Sequence, residues 1–317
     1  MTSADPQITV LMAVYNGGKF LRTAIDSILK QTYRDFLFLI VDDASTDDTR
    51  EIVRSYDDER IELLCVEKNI GQTAALNMGL HHASTPWIAR MDADDYSVPT
   101  RFEEQMKALE ADPSIACLGT FAWIFHNTPD NVLGGLKTPL KHEEIQSVVV
   151  GSPIIHGSLM VSREALIEVG SYNETYRIIA DVELYDRFLQ HYKAANLDRQ
   201  LLGVRRHVGQ ASNSVAAFDE TIKLSSRKLA DGKYSRSDAT MIRETLGRSH
   251  IFRARYYAIK GNLRRASGDM ARALSKSPKT FLWDCFVVFV ANNFSQRQRA
   301  RIKIFLSGVL APLKNRD

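Results

Sequence analysis

The sequence predicts an α/β fold, with a mostly parallel sheet flanked by helices, followed by a basic α-helical C-terminal region. Three observations carry that prediction. Four apolar runs of strand length before residue 92 are separated by three segments of helical spacing, the pattern of chains that join parallel strands through helical crossovers. Acidic and turn residues follow directly on several of those runs, where such sheets bind ligands. The charge also changes sign along the chain. Residues 1–226 hold 21 Lys and Arg against 32 Asp and Glu, whereas residues 227–317 hold 20 against 6.

Residues 8–15 (ITVLMAVY) are apolar and rich in β-branched side chains, and Asn16-Gly17-Gly18 closes them with a turn, which predicts a buried strand. Phe20, Leu21, Ala24, Ile25, Ile28 and Leu29 recur at three- and four-residue steps, which predicts a helix. FLFLIV (36–41) is a second strand ending in Asp42-Asp43-Ala44-Ser45, and DDTREIVRSY is a helix with acidic residues in its first turn. IELLCV (61–66), GQTAALNMGLHHA (71–83) and PWIARM (86–91) continue as strand, helix and strand. Residues 114–161 are expected to be β-rich, through IACLGTFAWIF, VVVG and HGSLMV, and 181–193 (DVELYDRFLQHYK) to be helical. Beyond about residue 220 strand signals stop. Residues 250–278 predict a helical hairpin, with Gly261-Asn262 or Ser267-Gly268 as the turn and Pro278 as a stop. The domains expected are therefore 1–220 and 221–317.

Composition narrows the function classes. With 317 residues, 44% of them apolar and 25% charged, the chain can bury a real core and is neither collagen-like, coiled-coil nor disordered. Cys65, Cys117 and Cys285 are too few and too scattered for a disulfide framework or a cysteine zinc site, and fit a reducing compartment. The first sixteen residues lack the charged and apolar regions of a secretory signal, so a cytoplasmic location is expected. A net charge of −11 up to Ser226 and of +14 beyond it implies an anionic partner for the tail, with a solvated basic face as the alternative. The runs FLWDCFVVFVA (281–291) and IKIFLSGVLAPL (302–313) are shorter than the ~20 apolar residues that span a bilayer. Lying in a membrane interface or packing on the first domain are the two readings left for them.

Asp92-Ala93-Asp94-Asp95 sets three carboxylates in four positions directly after a strand. Crowded carboxylates raise one another's pKa unless a cation sits among them. Mg²⁺ or Mn²⁺, shared with substrate phosphates, is the natural counter-charge, and an acidic turn capping a helix near Pro99 is the alternative. Asp42-Asp43-Ala44-Ser45 alone is a common turn. Beside Tyr15, whose ring can stack on a base, a carboxylate there can accept from a pyrimidine N3–H, so the two strand ends can form a uridine pocket.

LMAVYNGGKFLRTAIDSILKQTYRDFLFLIVDDASTDDT, then NIGQTAALNMGL, then WIARMDADD, strongly resembles the family 2 glycosyltransferases of the GT-A fold, over roughly residues 7–215. The resemblance implies a Rossmann-like domain that transfers a sugar from a nucleotide-sugar donor, with inversion and with help from Mn²⁺ or Mg²⁺. It puts Ala13 and Tyr15 at the nucleobase, Asp43 on uracil, Asp92 on the donor ribose or sugar side, and Asp94 on the metal. Arg90 is a further donor-side candidate, with a solvated or paired arginine as the alternative. In RIIADVELYDRF the family's usual Glu-Asp is Ala180-Asp181, which loses the first acid but keeps Asp181 as the candidate catalytic base. His207 in RRHVGQAS matches a segment that in some relatives ligates the metal or diphosphate. His156 in SPIIHGSLMV resembles the acceptor side.

The expected function is thus an inverting glycosyltransferase that uses a UDP-sugar to extend a glycan or polyprenyl-linked acceptor in cell-surface polysaccharide synthesis. It would work on the cytosolic side, with peripheral contact to anionic membrane and no nucleic-acid partner. The alternatives are a nucleotidyltransferase, which the lack of a Gly-rich phosphate loop disfavours, and a non-catalytic nucleotide or nucleic-acid binder.

Overall fold

The computed structural model describes residues 6–207, 214–278 and 281–282. Strand β1 (Ile8–Val14) is buried at all seven positions, because both faces of a central parallel strand are covered. Its one polar side chain, Thr9, is satisfied by the Thr85 hydroxyl at 2.8 Å. Strands β2 (Phe36–Asp42) and β4 (Trp87–Arg90) flank it in parallel, and β3 (Ile61–Cys65) lies parallel beyond β2.

Helices α1 (Gly18–Leu29), α2 (Thr49–Arg54) and α3 (Gln72–His82) make the connections. Helix α1 buries Leu21, Ala24, Ile25 and Ile28 into a core shared with Val10, Met12, Phe38 and Ile40. Helix α3 lies close against the sheet at Gly79, where an added Cβ would meet Leu11 Cδ1 at 2.3 Å and Val41 Cγ2 at 3.0 Å. The sheet order places β2 on one side of β1 and β4 on the other. The carboxyl ends of β1 and β4 thus border a switch point, where open α/β sheets take their ligands.

The rest of the first unit is a mixed extension of the same sheet. Strands β5 (Tyr96–Ser97), β6 (Ile115–Phe125), β7 (Val132–Leu136), β8 (Met160–Ser162) and β9 (Lys193–Arg205) complete it, in the order β3-β2-β1-β4-β8-β6-β9-β5 with β7 paired to β6. Strand β8 is antiparallel to β4 and to β6, whereas β6 and β9 run parallel. The sheet is therefore parallel in its first half and mixed in its second. Helices α4 (Arg101–Ala111), α5 (His142–Gln146), α6 (Arg163–Glu168) and α7 (Ala180–Phe188) join these strands. The VVVG segment is not a strand: β-branched residues favour one, but the Val148 and Val149 N–H groups donate back to the Ile145 and Ser147 carbonyls in the turn that ends α5. The helix expected over 181–193 stops at Phe188, and Lys193 already begins β9.

The chain divides at Ala217/Phe218. The second unit carries most of α8 (Val215–Asp231), then α9 (Arg236–Ile259) and α10 (Leu263–Lys276). Helices α9 and α10 form a hairpin whose turn is Gly261-Asn262. Gly261 adopts φ +76°, and Asn262 caps α10 by accepting from the Arg265 N–H at 3.1 Å. Ile242, Leu246 and Ala254 of α9 and Ala266 and Ala273 of α10 are buried. The apolar runs 281–291 and 302–313 lie outside the described residues apart from Phe281 and Leu282.

Gly79→Val should destabilise the first unit by about 1–3 kcal/mol, because overpacking at the α3–sheet contact exceeds the small gain from replacing a helical glycine. Urea denaturation of the two proteins measures the difference.

Candidate active site

Everything chemically distinctive in the first unit converges on the turn that follows β4. Arg90, the last residue of β4, is 1% exposed and donates from Nη2 to Asp92 Oδ1 at 2.7 Å. Its Nε and Nη1 are buried without a hydrogen-bond partner, an expensive arrangement that leaves two donors available at the site. Beneath it Arg101, also fully buried, donates to the Arg90 carbonyl at 2.8 Å and to Gln105 Oε1 at 3.1 Å. Burial, with Arg90 adding to it, pushes the Arg101 guanidinium down to about 9.

The three carboxylates are held differently. Burial opposes the ionisation of Asp92, but the charge and hydrogen bond of Arg90 outweigh it and hold that carboxyl below its ordinary value. Asp94 and Asp95 move the other way. Burial and then the Asp92 charge raise both, Asp95 strongly, because Asp94 acts on it as well. Strand β9 fastens this turn through Arg205. Its N–H donates to Asp95 Oδ1 at 2.9 Å, its Nε to the Asp94 carbonyl at 2.7 Å, and its Nη1 to the Asn127 carbonyl. The Arg205 guanidinium lies over the Phe20 and Phe125 rings at 4.5 and 4.6 Å. Two residues later His207 Nε2 meets Asp94 Oδ2 at 2.9 Å, with its ring 4.9 Å from that of Phe20.

Asp94 and His207 are therefore brought together, one oxygen and one nitrogen donor on the rim of a negatively charged turn. Among the described residues no group of three or more His, Cys, Asp or Glu is set to hold a metal ion. Two protein donors suit a hard divalent cation that takes its remaining ligands from substrate phosphates and water. The donor set fits Mn²⁺ or Mg²⁺.

The other expected residues line the same carboxyl edge. Tyr15 is 52% exposed just beyond β1, and Ala13 is 6% exposed within it. Asp43 is buried and accepts from the Ile70 and Gly71 N–H groups at 2.7 and 2.9 Å, so it pins the 69–71 loop whatever else it binds. Asp42 is occupied by Arg50. Asn16 and Gly17 are tied to Ser45, Thr46 and Thr49 at 2.8–3.0 Å, which locks the β1–α1 and β2–α2 loops together.

His156 Nε2 is 2.8 Å from the Tyr172 hydroxyl, and burial followed by the Arg90 charge pushes the imidazole down to about 3, so it is neutral. Next to it, Gly157 admits the acidic turn: an added Cβ would lie 3.1 Å from Asp95 Oδ2 and 3.2 Å from Asp92 Oδ2. Asp181, near the start of α7, accepts from Ser152 Oγ at 3.1 Å. Burial raises its pKa, Ser152 opposes the rise, and the Asp92 charge adds to it. Asp181 and the Asp92 turn thus belong to one electrostatic site.

The family model for glycosyl transferase family 2 matches residues 9–170. The chain belongs to that family. A putative glycosyltransferase, EpsE, of Bacillus subtilis (strain 168) is 32% identical over 209 residues, covering 64% of this chain and 74% of that protein. An uncharacterized glycosyltransferase of Haemophilus influenzae is 27% identical over 219 residues, covering 66% and 68%. Among solved structures, S. aureus TarS 1-349 in complex with UDP-GlcNAc is similar with a TM-score of 0.64 and 15% identity, over 87% of this chain and 82% of that one. Mannosyltransferase PcManGT from Pyrobaculum calidifontis, in complex with GDP-Man and Mn²⁺, is similar with a TM-score of 0.60 and 19% identity, over 99% and 88%. At such identities the likeness shows the GT-A fold alone. Membership in family 2 makes the chain a glycosyltransferase and sets aside the nucleotidyltransferase and non-catalytic readings.

Arg205, Gly157, Tyr172, Ser152 and Gln72, whose Nε2 lies 3.5 Å from Asp92 Oδ1, are site residues that sequence reasoning missed. Two of them had a visible signal: Gly157 beside His156 in SPIIHGSLMV, and Arg205 two positions before His207. Gly157→Ala should weaken nucleotide binding about tenfold, because a methyl group at 3.0–3.2 Å from Leu202, Asp95 and Asp92 forces the carboxylates aside at a cost of ~1–3 kcal/mol. Calorimetric titration with UDP checks this, and an unchanged unfolding midpoint assigns the effect to the site.

Proposed function

We propose that this family 2 glycosyltransferase moves a sugar from a UDP-sugar to a hydroxyl of a glycan or lipid-linked acceptor, inverting the anomeric carbon, in cell-surface polysaccharide synthesis. The observation that carries the reading is the pairing of Asp94 with His207 on a carboxylate turn whose Asp92 charge also acts on the separate, half-buried Asp181. UDP is the nucleotide that the resemblance favours, and the TarS complex with UDP-GlcNAc adds to its support.

In this scheme the β1 and β2 ends hold the nucleoside. Tyr15 stacks on the base, with Ala13 beside it, and Asp43 accepts from its N–H. Arg90 and Asp92 orient the donor's ribose and sugar. A divalent cation on Asp94 and His207 would supply the charge stabilisation that a departing diphosphate needs. Asp181 takes the proton of the acceptor hydroxyl as that oxygen attacks opposite the leaving group. Neutral His156, fixed by Tyr172, shapes the acceptor side.

The raised pKa fixes the sign of the pH dependence. Asp181 acts only when ionised, so transfer should fall as pH drops through a value above the ordinary carboxylate range. The acid limb of kcat/KM measures that value, and a limb at the ordinary carboxylate pKa would argue against Asp181 as the base. Asp181→Asn should lower kcat by about 10²–10⁴-fold while the UDP dissociation constant stays within about twofold. Asp94→Ala should abolish the Mn²⁺ dependence of UDP binding. Titrations with UDP, dTDP and GDP, with Mn²⁺ and then with EDTA, read out both the metal and the nucleotide. Normal transfer by either variant removes its assigned role.

A further inference from the structure

The second unit contains a site that the transfer chemistry does not use. A cleft of about 550 Å³ opens between α9 and α10, lined by Arg253, Tyr257, Asn262, Arg264, Arg265, Gly268, Asp269 and Arg272. Four guanidinium groups thus face a single carboxylate. That carboxylate is already occupied: Asp269, 1% exposed, accepts from Arg253 at 2.6 and 2.8 Å and from Arg272 at 3.1 Å, and lies 3.0 Å from His250 Nδ1. Arg253 is further tied to Asp219 at 2.6 Å. These bonds build the floor of the cleft.

Arg264 and Arg265 stand differently. Both are exposed on the first turn of α10, and neither has a carboxylate partner among the described residues. Arg265 lies over the Tyr257 ring at 5.3 Å, which holds its guanidinium at the mouth of the cleft. From Arg236 to Lys276 the hairpin carries ten Lys and Arg against three Asp and Glu. Forked guanidinium donors around an open, positively charged cleft recognise a phosphate.

The turn above the cleft tells which source of phosphate is meant. Ile259 is 84% exposed and Leu263 70% exposed, with Tyr256 at 39%, and Lys260 stands between them. Large aliphatic side chains at a tight turn gain nothing from a free anion or from a nucleic-acid backbone. Beside cations they suit the boundary between lipid headgroups and acyl chains.

We propose that the tip of the α9–α10 hairpin docks on an anionic membrane, with a lipid phosphate in the arginine cleft and Ile259 and Leu263 entering the acyl boundary. The inference deepens the lipid-proximal part of the proposed function and rests on that reading for the membrane, not for the chemistry at Asp94 and Asp181.

The test is co-sedimentation of the full chain with vesicles of phosphatidylcholine alone or mixed with phosphatidylglycerol. Wild type should bind the mixed vesicles, and more weakly as salt rises. Arg264→Glu/Arg265→Glu should weaken that binding roughly tenfold or more, and so should Ile259→Asn/Leu263→Asn. Both variants should keep wild-type UDP affinity, which separates a failure here from a failure of the donor site. Wild-type vesicle affinity in either variant overturns the proposal. So does a cleft that binds inorganic phosphate or an oligonucleotide and loses it in Arg264→Glu/Arg265→Glu while vesicle binding stands. Circular dichroism of each variant confirms that the hairpin is still folded.

Discussion

Placing Asp92, Asp94 and Asp95 within four residues at the end of a buried strand is the electrostatic problem around which the first unit is arranged. Left alone, three carboxylates in a half-buried turn would raise one another's pKa until some were neutral. Arg90 answers part of this from inside the strand, by bonding Asp92 directly and holding it ionised. Arg205 answers from β9, giving its N–H to Asp95 and its side chain to the Asp94 carbonyl. The compensation is incomplete, since Asp94 and Asp95 stay raised. What remains is a turn whose charge is only partly compensated, with His207 bonded to Asp94.

Much of the neighbouring architecture serves to keep those partners in place. Arg101 supports Arg90 through its carbonyl and is fixed in turn by Gln105, which also donates to the Leu118 and Ser158 carbonyls at 3.0 and 2.9 Å. Gln31 reaches the Val98 carbonyl at 2.7 Å and accepts from the Phe102 N–H at 3.1 Å, tying the end of α1 to the segment just past the acidic turn. Buried amides of this kind carry weight because each unmade bond in the interior is costly. The long pairing of β9 along β6 then delivers Arg205 and His207 to a turn more than a hundred residues earlier in the chain.

The parallel half of the sheet was legible in the sequence, because strands buried on both faces write themselves as unbroken apolar runs and their helices as periodic ones. The positions of Asp92, Asp94, Asp43 and Tyr15 were legible too, each just beyond a strand end. Strand β9 was not: KAANLDRQLLGVR has neither alternation nor a continuous apolar run, and its stability comes from partners far away in sequence. VVVG erred in the opposite sense, with local preference for a strand overridden by the turn that ends α5. Residues that act at long range, such as Tyr172 fixing His156, leave no local trace at all.

Ala180 is where the segment around Asp181 departs from the Glu-Asp that the family resemblance leads one to expect. It is 7% exposed at the start of α7, so a carboxylate there would be buried next to Asp181 and would raise its pKa by like-charge repulsion. With alanine in that position, burial is the main cause of the rise and the Ser152 hydroxyl opposes it. The proposed base is thus tuned chiefly by solvent exclusion. Whatever an acceptor does to displace water over Asp181 therefore acts on the group proposed to take its proton.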